Sequence, residues 1–486
     1  MKKILVVLSA VVVGFIFALG DSFFTHFSFN DWKNPFARST IEPSTPATPA
    51  PIDTPAKPVI DLEPTLSFQE HLEKGDYYFD RGFFTFATHE YTKAAKRDPQ
   101  NTQPYLKLME AQFELGNYDQ VLANATTVLG LDPGNIEAPY YQVITAIKQS
   151  RFEEAEQLIG ATLTAQQNPD PRLFYYQAVL DTLFDRHDSA QKRFTEAATL
   201  LTTDYPDYLE FINEFTNAYR EFGFAQSAEP DYLDTLLARA YNKNHLYEFT
   251  VFKLRDLLQS RSDLRDAWIL RGFAYLNLQQ FIFALNAFEQ AYRLDSQWAP
   301  TQYFLGLTYA EIGKKEDAIV YLNYALKNGF TPDIVVKQKL ADLYLDAGHY
   351  QESVALYEEL LTSHAPNVNE FVRPIWIYVE LLNQPESALP LARSAIEAFP
   401  SDAMAHNLLG WALLGVRDYD SAAISLNHSI QLDPDLAAPY FNLGQLFERT
   451  DQVDQALEFY QKAFELDRNG SIGNQAAKAY NRLLTE

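Results

Sequence analysis

The feature that most constrains this chain is a pattern that returns about every 34 residues. Copies begin near residues 68, 102, 136, 171, 231, 265, 299, 334, 369, 403 and 437. A unit of that length cannot bury an apolar face by itself, so each copy must pack against its neighbours. The period therefore predicts a stack of small units rather than one compact core.

Side chains of matched size occupy equivalent positions of the unit. Apolar residues recur three, four and seven apart within each half, which indicates that each unit is two helices. A small residue at position eight and an alanine at position twenty let the two backbones approach, and a large residue at position twenty-four fills the space beside them. The position-eight glycines are Gly75, Gly272, Gly306, Gly410 and Gly444, and the large residues at position twenty-four are Tyr91, Phe194, Phe288, Leu322, Tyr357, Leu426 and Tyr460.

This pattern resembles the tetratricopeptide repeat family over about residues 68–470, with one interruption. The resemblance implies an all-α fold, a right-handed superhelical solenoid of helix-turn-helix repeats. Two residues depart from the family pattern. Pro139 stands where an aromatic residue is usual, and Trp376 stands at position eight, which is normally small.

The pattern divides the chain into six segments. In chain order they are a signal or anchor segment with an aromatic flank (1–32), a linker rich in proline and threonine (33–66), a first block of about four repeats (67–200), an irregular helical joint (201–230), a second block of about seven repeats (231–470) and a capping helix (471–486). Segment 201–230 is rich in aromatic residues and does not fit the repeat, so it is either a joint between two blocks or a degenerate repeat.

The N-terminus has the layout of an export signal, because Lys2 and Lys3 precede an uncharged run from Ile4 to Leu19. Cleavage after Gly20 would release a secreted protein. Alternatively, residues 4–19 stay in the membrane as an anchor, with the following aromatic residues at its interface. Both alternatives place the repeats on the extracytoplasmic side, since the lysines remain inside.

Composition alone argues against several kinds of chemistry, because the net charge is −25 and the chain has no cysteine. An acidic surface repels phosphate backbones, which argues against a nucleic-acid partner. The nine histidines are scattered, and no phosphate-binding glycine loop or His-Glu-x-x-His motif occurs. We therefore predict no catalytic residues, no cofactor, no metal site and no enzymatic activity.

The resemblance also implies a binding surface. In the family, the first helices of successive repeats line a concave groove, to which positions five and nine contribute. Here those positions predict a partner-binding groove that is aromatic and aliphatic with a few polar groups, formed by Tyr140, Ile144, Tyr175, Arg239, Ile269, Phe273, Tyr303, Leu307, Arg373, Ile377, Asn407, Trp411, Phe441 and Gln445. Tyrosine, tryptophan and arginine are frequent anchors at protein interfaces.

These features predict a non-enzymatic scaffold or adaptor that binds other proteins, or extended peptide segments, in the groove. Two alternatives stay open. Aromatic rings also stack on sugars, so the chain could bind or process glycans of the cell envelope, and it could assemble with itself into a structural protein.

Overall fold

The computed structural model describes residues 66–201, 205–225 and 229–485. All the secondary-structure elements in these ranges are helices, which confirms the predicted all-α fold class. The predicted signal or anchor (1–32) and all but Leu66 of the linker (33–66) lie outside the described residues. Among the helices that are described, none has the length and apolar character needed to cross a membrane.

The helices belong to two compact units that divide after Ser296. Residues 31–296 contain α1 (Phe68–Phe79), α2 (Phe84–Arg97), α3 (Gln103–Glu114), α4 (Tyr118–Leu131), α5 (Glu137–Lys148), α6 (Phe152–Ala165), α7 (Arg172–Leu183), α8 (His187–Leu200), α9 (Pro206–Phe224), α10 (Pro230–Lys243), α11 (Tyr247–Ser260), α12 (Arg265–Asn277) and α13 (Phe281–Leu294). The predicted joint at 201–230 contains α9, which lies inside this unit.

Residues 297–486 contain the remaining helices. They are α14 (Ala299–Glu311), α15 (Lys315–Lys327), α16 (Asp333–Asp346), α17 (Tyr350–Ser363), α18 (Val372–Trp376), α19 (Pro385–Ala398), α20 (Ala403–Gly415), α21 (Tyr419–Leu432), α22 (Ala437–Arg449), α23 (Val453–Leu466) and α24 (Ser471–Thr485). A 3₁₀ turn (Val368–Phe371) precedes α18 and a π-helical segment (Ile377–Leu381) follows it. In α24, Ala476 is buried, and Ile472 and Leu483 pack with it against Tyr460 of α23.

Each helix pair reverses direction at one residue with a positive φ. Glycine occupies this position in four pairs, at Gly82, Gly116, Gly313 and Gly348; the other seven use Ser150, Asp185, His245, Gln279, Asn383, Arg417 and Asp451. In ten of the eleven described pairs, the amide after this residue donates to the carbonyl five residues before that amide, as in Arg151 N to Ala146 O at 2.8 Å and Lys314 N to Tyr309 O at 2.9 Å. This is the bond of a Schellman helix end. After Asn383, Gln384 N donates instead to Tyr378 O, six residues earlier. A left-handed conformation is unfavourable for non-glycine residues, so the packing of the two helices must hold these turns.

The predicted size matching within a pair is visible at atomic distances. A Cβ placed on Gly272 would lie 2.6 Å from the Phe288 ring, and one placed on Gly444 would lie 2.6 Å from the Tyr460 ring. In the second pair the large residue is at position eight and the small one at position twenty-four. These residues, Met109 and Ala125, are both fully buried in one cluster. Positions eight and twenty-four therefore share one volume, which either side can fill.

A recurring polar link joins the second helix of a pair to the helix that follows. A tyrosine hydroxyl at position twenty-four donates to a carboxylate on the first helix, and a cation of the next repeat or capping helix pairs with the same carboxylate. Links of this kind among the described residues include Tyr91–Asp76–Lys107, Tyr357–Asp342–Arg373 and Tyr460–Glu448–Arg482.

A buried charge cluster stabilises the first pair. The Glu90 carboxylate, 4% exposed, lies 2.7 Å from His71 Nδ1 and 3.3 Å from Lys74 Nζ. Burial acts to raise the pKa of Glu90, but the hydrogen bonds to His71 and Lys74 and the charges of Lys74 and Lys93 outweigh it, so the pKa is lowered.

Substitutions that enlarge position eight and shrink position twenty-four of one pair test this packing. Gly272→Met should destabilise the chain by about 3 kcal/mol, because the new side chain meets the Phe288 ring. Phe288→Ala alone should cost about 3–5 kcal/mol. In the double variant, the loss in free energy of unfolding should be at least about 2 kcal/mol smaller than the sum of the two single losses. Urea unfolding followed by circular dichroism measures these values.

The matched control is Gly160→Met, because nothing lies within 4 Å of a Cβ at Gly160 in α6. That substitution should be neutral or slightly stabilising, since methionine favours helices more than glycine does. Strictly additive costs for Gly272→Met and Phe288→Ala would contradict the shared volume.

The Glu90 cluster predicts acid sensitivity. A carboxyl whose pKa is lower in the folded chain adds stability above its unfolded pKa, and this stability is lost as the pH falls through the folded value. The urea midpoint of the wild-type chain should therefore fall below about pH 4.5, and that of Glu90→Gln should fall less steeply. Midpoints at about pH 7 and about pH 3.5 would measure the difference, and equal slopes would contradict the role of Glu90.

Candidate functional site

The predicted groove residues of the first unit are buried. Tyr140, Ile144, Tyr175, Arg239, Ile269 and Phe273 are each between 1% and 8% exposed. A side chain with so little exposed surface offers almost no area to a partner in this conformation. The sequence predicted which faces of the helices these residues occupy, but it did not predict what covers them.

Helix α9 covers three of these residues. The Tyr208 ring lies edge-on to Tyr175, with 5.1 Å between centroids, and its hydroxyl lies 3.3 Å from that of Tyr140. Tyr176 completes the surroundings at 6.3 Å from Tyr208. Farther along α9, Glu221 pairs with Arg239 of α10. The first unit thus contains an aromatic cage, formed by Tyr140, Tyr175 and Tyr176, that its own Tyr208 occupies.

Arg172 closes one side of this cage. Its guanidinium lies 3.5 Å from the centroid of the Tyr140 ring, pairs with Glu137 at 2.7 Å, and donates through Nε to the buried Asp170 at 3.0 Å. Burial acts to lower the pKa of Arg172, but Asp170 raises it above the ordinary value. Burial also raises the pKa of Tyr175 and Tyr208, so both phenols stay neutral.

Helix α9 carries a signal that could have suggested its packing. Tyr208, Phe211, Phe215 and Tyr219 recur three or four residues apart, the spacing of one helix face. Phe215 is fully buried and stacks on Phe194 of α8 at 4.9 Å. The spacing indicates that one face of α9 is buried, but not which helices it meets.

The second unit leaves part of its predicted groove accessible. Tyr303, Leu307, Ile377 and Asn407 are buried, at no more than 4% exposed. Trp411, Phe441 and Gln445 are partly exposed, and the Arg373 side chain is 56% exposed. These four residues lie on α18, α20 and α22, which are the first helices of three successive repeats.

Two of the accessible residues are held by polar contacts. The indole Nε1 of Trp411 donates to Glu380 Oε1 at 3.2 Å. Arg373 pairs with Asp342 and donates to the Tyr357 hydroxyl at 2.7 Å. Burial acts to lower the pKa of Arg373, but Tyr357 and Asp342 raise it, so the guanidinium stays charged. Glu380 was not among the predicted groove residues.

The backbone beside Trp411 is irregular. The amide of Leu382 donates to Ile377 O at 2.8 Å, a bond that spans five residues instead of four and widens the helix. Trp376 occupies position eight here, and the facing position twenty-four is the buried alanine Ala392. Single π turns inside helices occur frequently at functional sites. The widened turn carries Ile377 at its start and Glu380 within it.

One polar atom of this face has no partner. Gln445 Oε1 is buried and accepts no hydrogen bond from any residue that the structure describes. Nearby along the repeats, Asn442 Nδ2 donates to Asn407 Oδ1 at 2.9 Å. A buried acceptor without a donor is unfavourable, so this oxygen lowers the stability of the folded chain. In the described ranges, no group of three or more acidic, histidine or cysteine side chains could hold a metal ion.

Comparison with known families identifies the repeats. Models of the tetratricopeptide repeat match residues 338–370, 382–437 and 437–469. The repeats in this part of the chain are therefore similar to tetratricopeptide repeats, as the spacing predicted. These matches cover α16 and α17, α19 to α21, and α22 and α23.

Two curated proteins are similar over most of the chain. The TPR repeat-containing protein MJ1428 of Methanocaldococcus jannaschii is 19% identical over 83% of this chain and 76% of its own length. The human mitochondrial import receptor subunit TOM70 is 21% identical over 77% of this chain and 60% of its own length. Among solved structures, the C-terminal part of a TPR repeat-containing protein from Cytophaga hutchinsonii aligns with 50% of this chain and 98% of its own, at 12% identity and a TM-score of 0.40.

Proposed function

We propose that this chain is a non-enzymatic scaffold that binds another protein, or an extended segment of one, through the first helices of the repeats between residues 369 and 449. Arg373, Glu380, Trp411, Phe441 and Gln445 form the contact surface, which we name the 369–449 face. The family matches, all to tetratricopeptide repeats, support a binding role over catalysis.

Accessibility is the observation that carries this proposal. The predicted groove residues of the first unit are all buried, whereas Arg373, Trp411, Phe441 and Gln445 keep exposed surface. Tryptophan and arginine are over-represented among residues that dominate binding energy. The human relative is, by its name, an import receptor subunit, which agrees with a protein as the partner.

The contacts of this face favour a partner with both apolar and donor groups. Trp411 and Phe441 supply apolar area, while the Glu380 carboxylate is exposed. A peptide backbone amide, or a hydroxyl or amine side chain, can donate to that carboxylate. Charged Arg373 is already paired with Asp342, so we expect it to orient the partner at the rim and to contribute less to affinity.

The tether remains part of the proposal. The uncharged run Ile4–Leu19 behind two lysines supports export, and the proline-rich linker supports a spacer between membrane and repeats. We propose that the repeats act on the extracytoplasmic side of the membrane.

Capture of the partner tests the face. Chemical crosslinking in intact cells, followed by purification of the tagged chain and mass spectrometry, should recover one or a few proteins. Trp411→Ala removes the exposed ring and Glu380→Lys reverses an exposed charge, so each should reduce recovery at least about tenfold. The matched control is Ile424→Ala on α21, whose side chain is 73% exposed, and recovery should not change.

Other outcomes would reject the proposal. Unchanged recovery with both Trp411→Ala and Glu380→Lys, while circular dichroism shows intact folding, would place the binding surface elsewhere. Recovery of the chain alone would indicate self-assembly, and recovery of envelope glycan would indicate sugar binding through the Trp411 ring.

Fractionation tests the tether. The full chain should sediment with membranes, and the variant that lacks residues 1–32 should not, because its apolar run is gone. Protease added outside sealed membranes should digest the repeats. A soluble protein whose sequence begins at Asp21 would show instead that the leader is cleaved. Protection of the repeats from external protease would contradict the extracytoplasmic location.

A further inference from the structure

Tyr208 occupies the aromatic cage in the way that a bound ligand would. It meets Tyr175 edge-on, at 5.1 Å between centroids and 87° between planes, and lies 6.3 Å from Tyr176. Edge-to-face pairs at this distance are favourable beyond the area they bury. The hydroxyls of Tyr208 and Tyr140 lie 3.3 Å apart, a contact that phenylalanine could not make.

Helix α9 is held unevenly along its length. Residues 212–224 contain the core residues Ile212, Phe215 and Ala218, each no more than 5% exposed. In this part of the helix, Glu214 pairs with Lys243 at 2.9 Å and Glu221 pairs with Arg239. Residues 212–224 are therefore fixed to α10 by both packing and charge.

The first six residues of α9, from Pro206 to Phe211, are less buried. Between Pro206 and Phe211 the structure contains no fully buried side chain, and Asp207 and Glu210 are exposed. Neither carboxylate forms an ion pair with any described residue within 4.0 Å. Two contacts bound this segment: Asn244 Nδ2 donates to the Phe211 carbonyl at 2.9 Å, and the Arg172 guanidinium lies 5.0 Å from the Tyr205 ring. Between them Tyr208 is the side chain that enters the cage, so we expect the turn from Pro206 to Glu210 to separate from the cage while the rest of α9 stays in place.

The cage itself does not depend on Tyr208 for its form. Tyr175 and Tyr176 are neighbours on α7 with rings 5.1 Å apart, and Tyr140 on α5 is fixed by the guanidinium of Arg172 over its ring. Asp170 and Glu137 hold that guanidinium in turn. When Tyr208 leaves, the cage presents three phenol rings on a supported wall, which suits an aromatic side chain.

We propose that the cage of Tyr140, Tyr175 and Tyr176 is a second binding site, specific for a tyrosine presented by a helical segment of another protein, and that Tyr208 occupies it until such a segment displaces it. The site lies in residues 31–296 and is independent of the 369–449 face. Its apparent affinity is lowered by the fraction of chains in which Tyr208 is docked.

A peptide copy of the internal ligand tests this directly. The probe is a fluorescein-labelled peptide with the sequence of residues 205–217, and binding is measured by fluorescence anisotropy. Tyr208→Ala in the full chain empties the cage, so this variant should bind the peptide at least about tenfold more tightly than the wild type. A peptide with Tyr208→Phe should bind several-fold more weakly than the parent peptide, because it loses the hydroxyl contact with Tyr140.

Matched variants keep the test specific. The double variant Tyr208→Ala, Tyr175→Ala removes a wall of the cage and should lose the gain, whereas Tyr208→Ala, Ile282→Ala changes a residue that is 68% exposed on α13 and should keep it. Equal binding by the wild type and Tyr208→Ala, or no binding by either, would overturn the proposal.

Hydrogen exchange of the wild-type chain gives a second readout that needs no variant. Amides of Glu210 and Phe211 should exchange faster than those of residues 213–222, because only residues 212–224 are held by core side chains. The amides before Glu210 lie in the first turn, where exchange is fast in any helix, and are left out of the comparison. Uniform slow exchange along all of α9 would show that the first half does not open, and would also overturn the proposal.

Discussion

The volume shared by positions eight and twenty-four is the constraint on which the helix pairs depend. Where position eight is glycine, as at Gly272 and Gly444, the ring of the facing residue occupies the place of a Cβ. Where it is large, as at Met109 or Trp376, the facing residue is a fully buried alanine. This complementarity sets how closely two helices approach. Close packing then fixes the turn, even in the seven pairs that place a non-glycine residue at positive φ.

Most of the helical framework could be predicted because its contacts recur at a constant spacing. Positions eight, twenty and twenty-four lie within one 34-residue repeat, and a periodic sequence pattern predicts contacts within such a repeat. The packing of one face of α24 against α23 also follows from a local pattern, since the apolar residues of α24 share one face. Trp376 departed from the pattern in the sequence, and the structure places a π-helical segment directly after it.

The burial of Tyr140, Tyr175 and Arg239 in the first unit could not be predicted, because the contacts that cover them do not recur at the repeat spacing. Tyr140 and Tyr208 are 68 residues apart, and Phe152 of α6 lies 4.7 Å from Phe249 of α11. Such contacts bring together segments with no common spacing, so each looks locally like an ordinary amphipathic helix. The sequence identified the faces that carry Tyr140, Tyr175 and Arg239 but not the helix that buries them. Glu380 was not predicted as a groove residue because its hydrogen-bond donor, Trp411, lies in the next repeat.

The two units consequently offer different surfaces from one repeat pattern. In the first, tyrosines at position five face a helix of the same chain, and their contacts contribute to folding. In the second, Arg373 and Phe441 at position five and Trp411 and Gln445 at position nine retain exposed surface. An irregular helix and an unpaired amide oxygen lie beside them. Apolar surface that packing does not use is typical of partner sites.

Site-specific photocrosslinking in living cells tests this division most directly. A photoreactive amino acid would replace Trp411 on the 369–449 face, Ile424 on the exposed side of α21, or Tyr140 beneath α9. The account predicts a discrete adduct with another protein from position 411 and none from position 424, with position 140 reacting only inside the chain while Tyr208 is docked. Adducts of equal yield from positions 411 and 424, or from 424 alone, would contradict it.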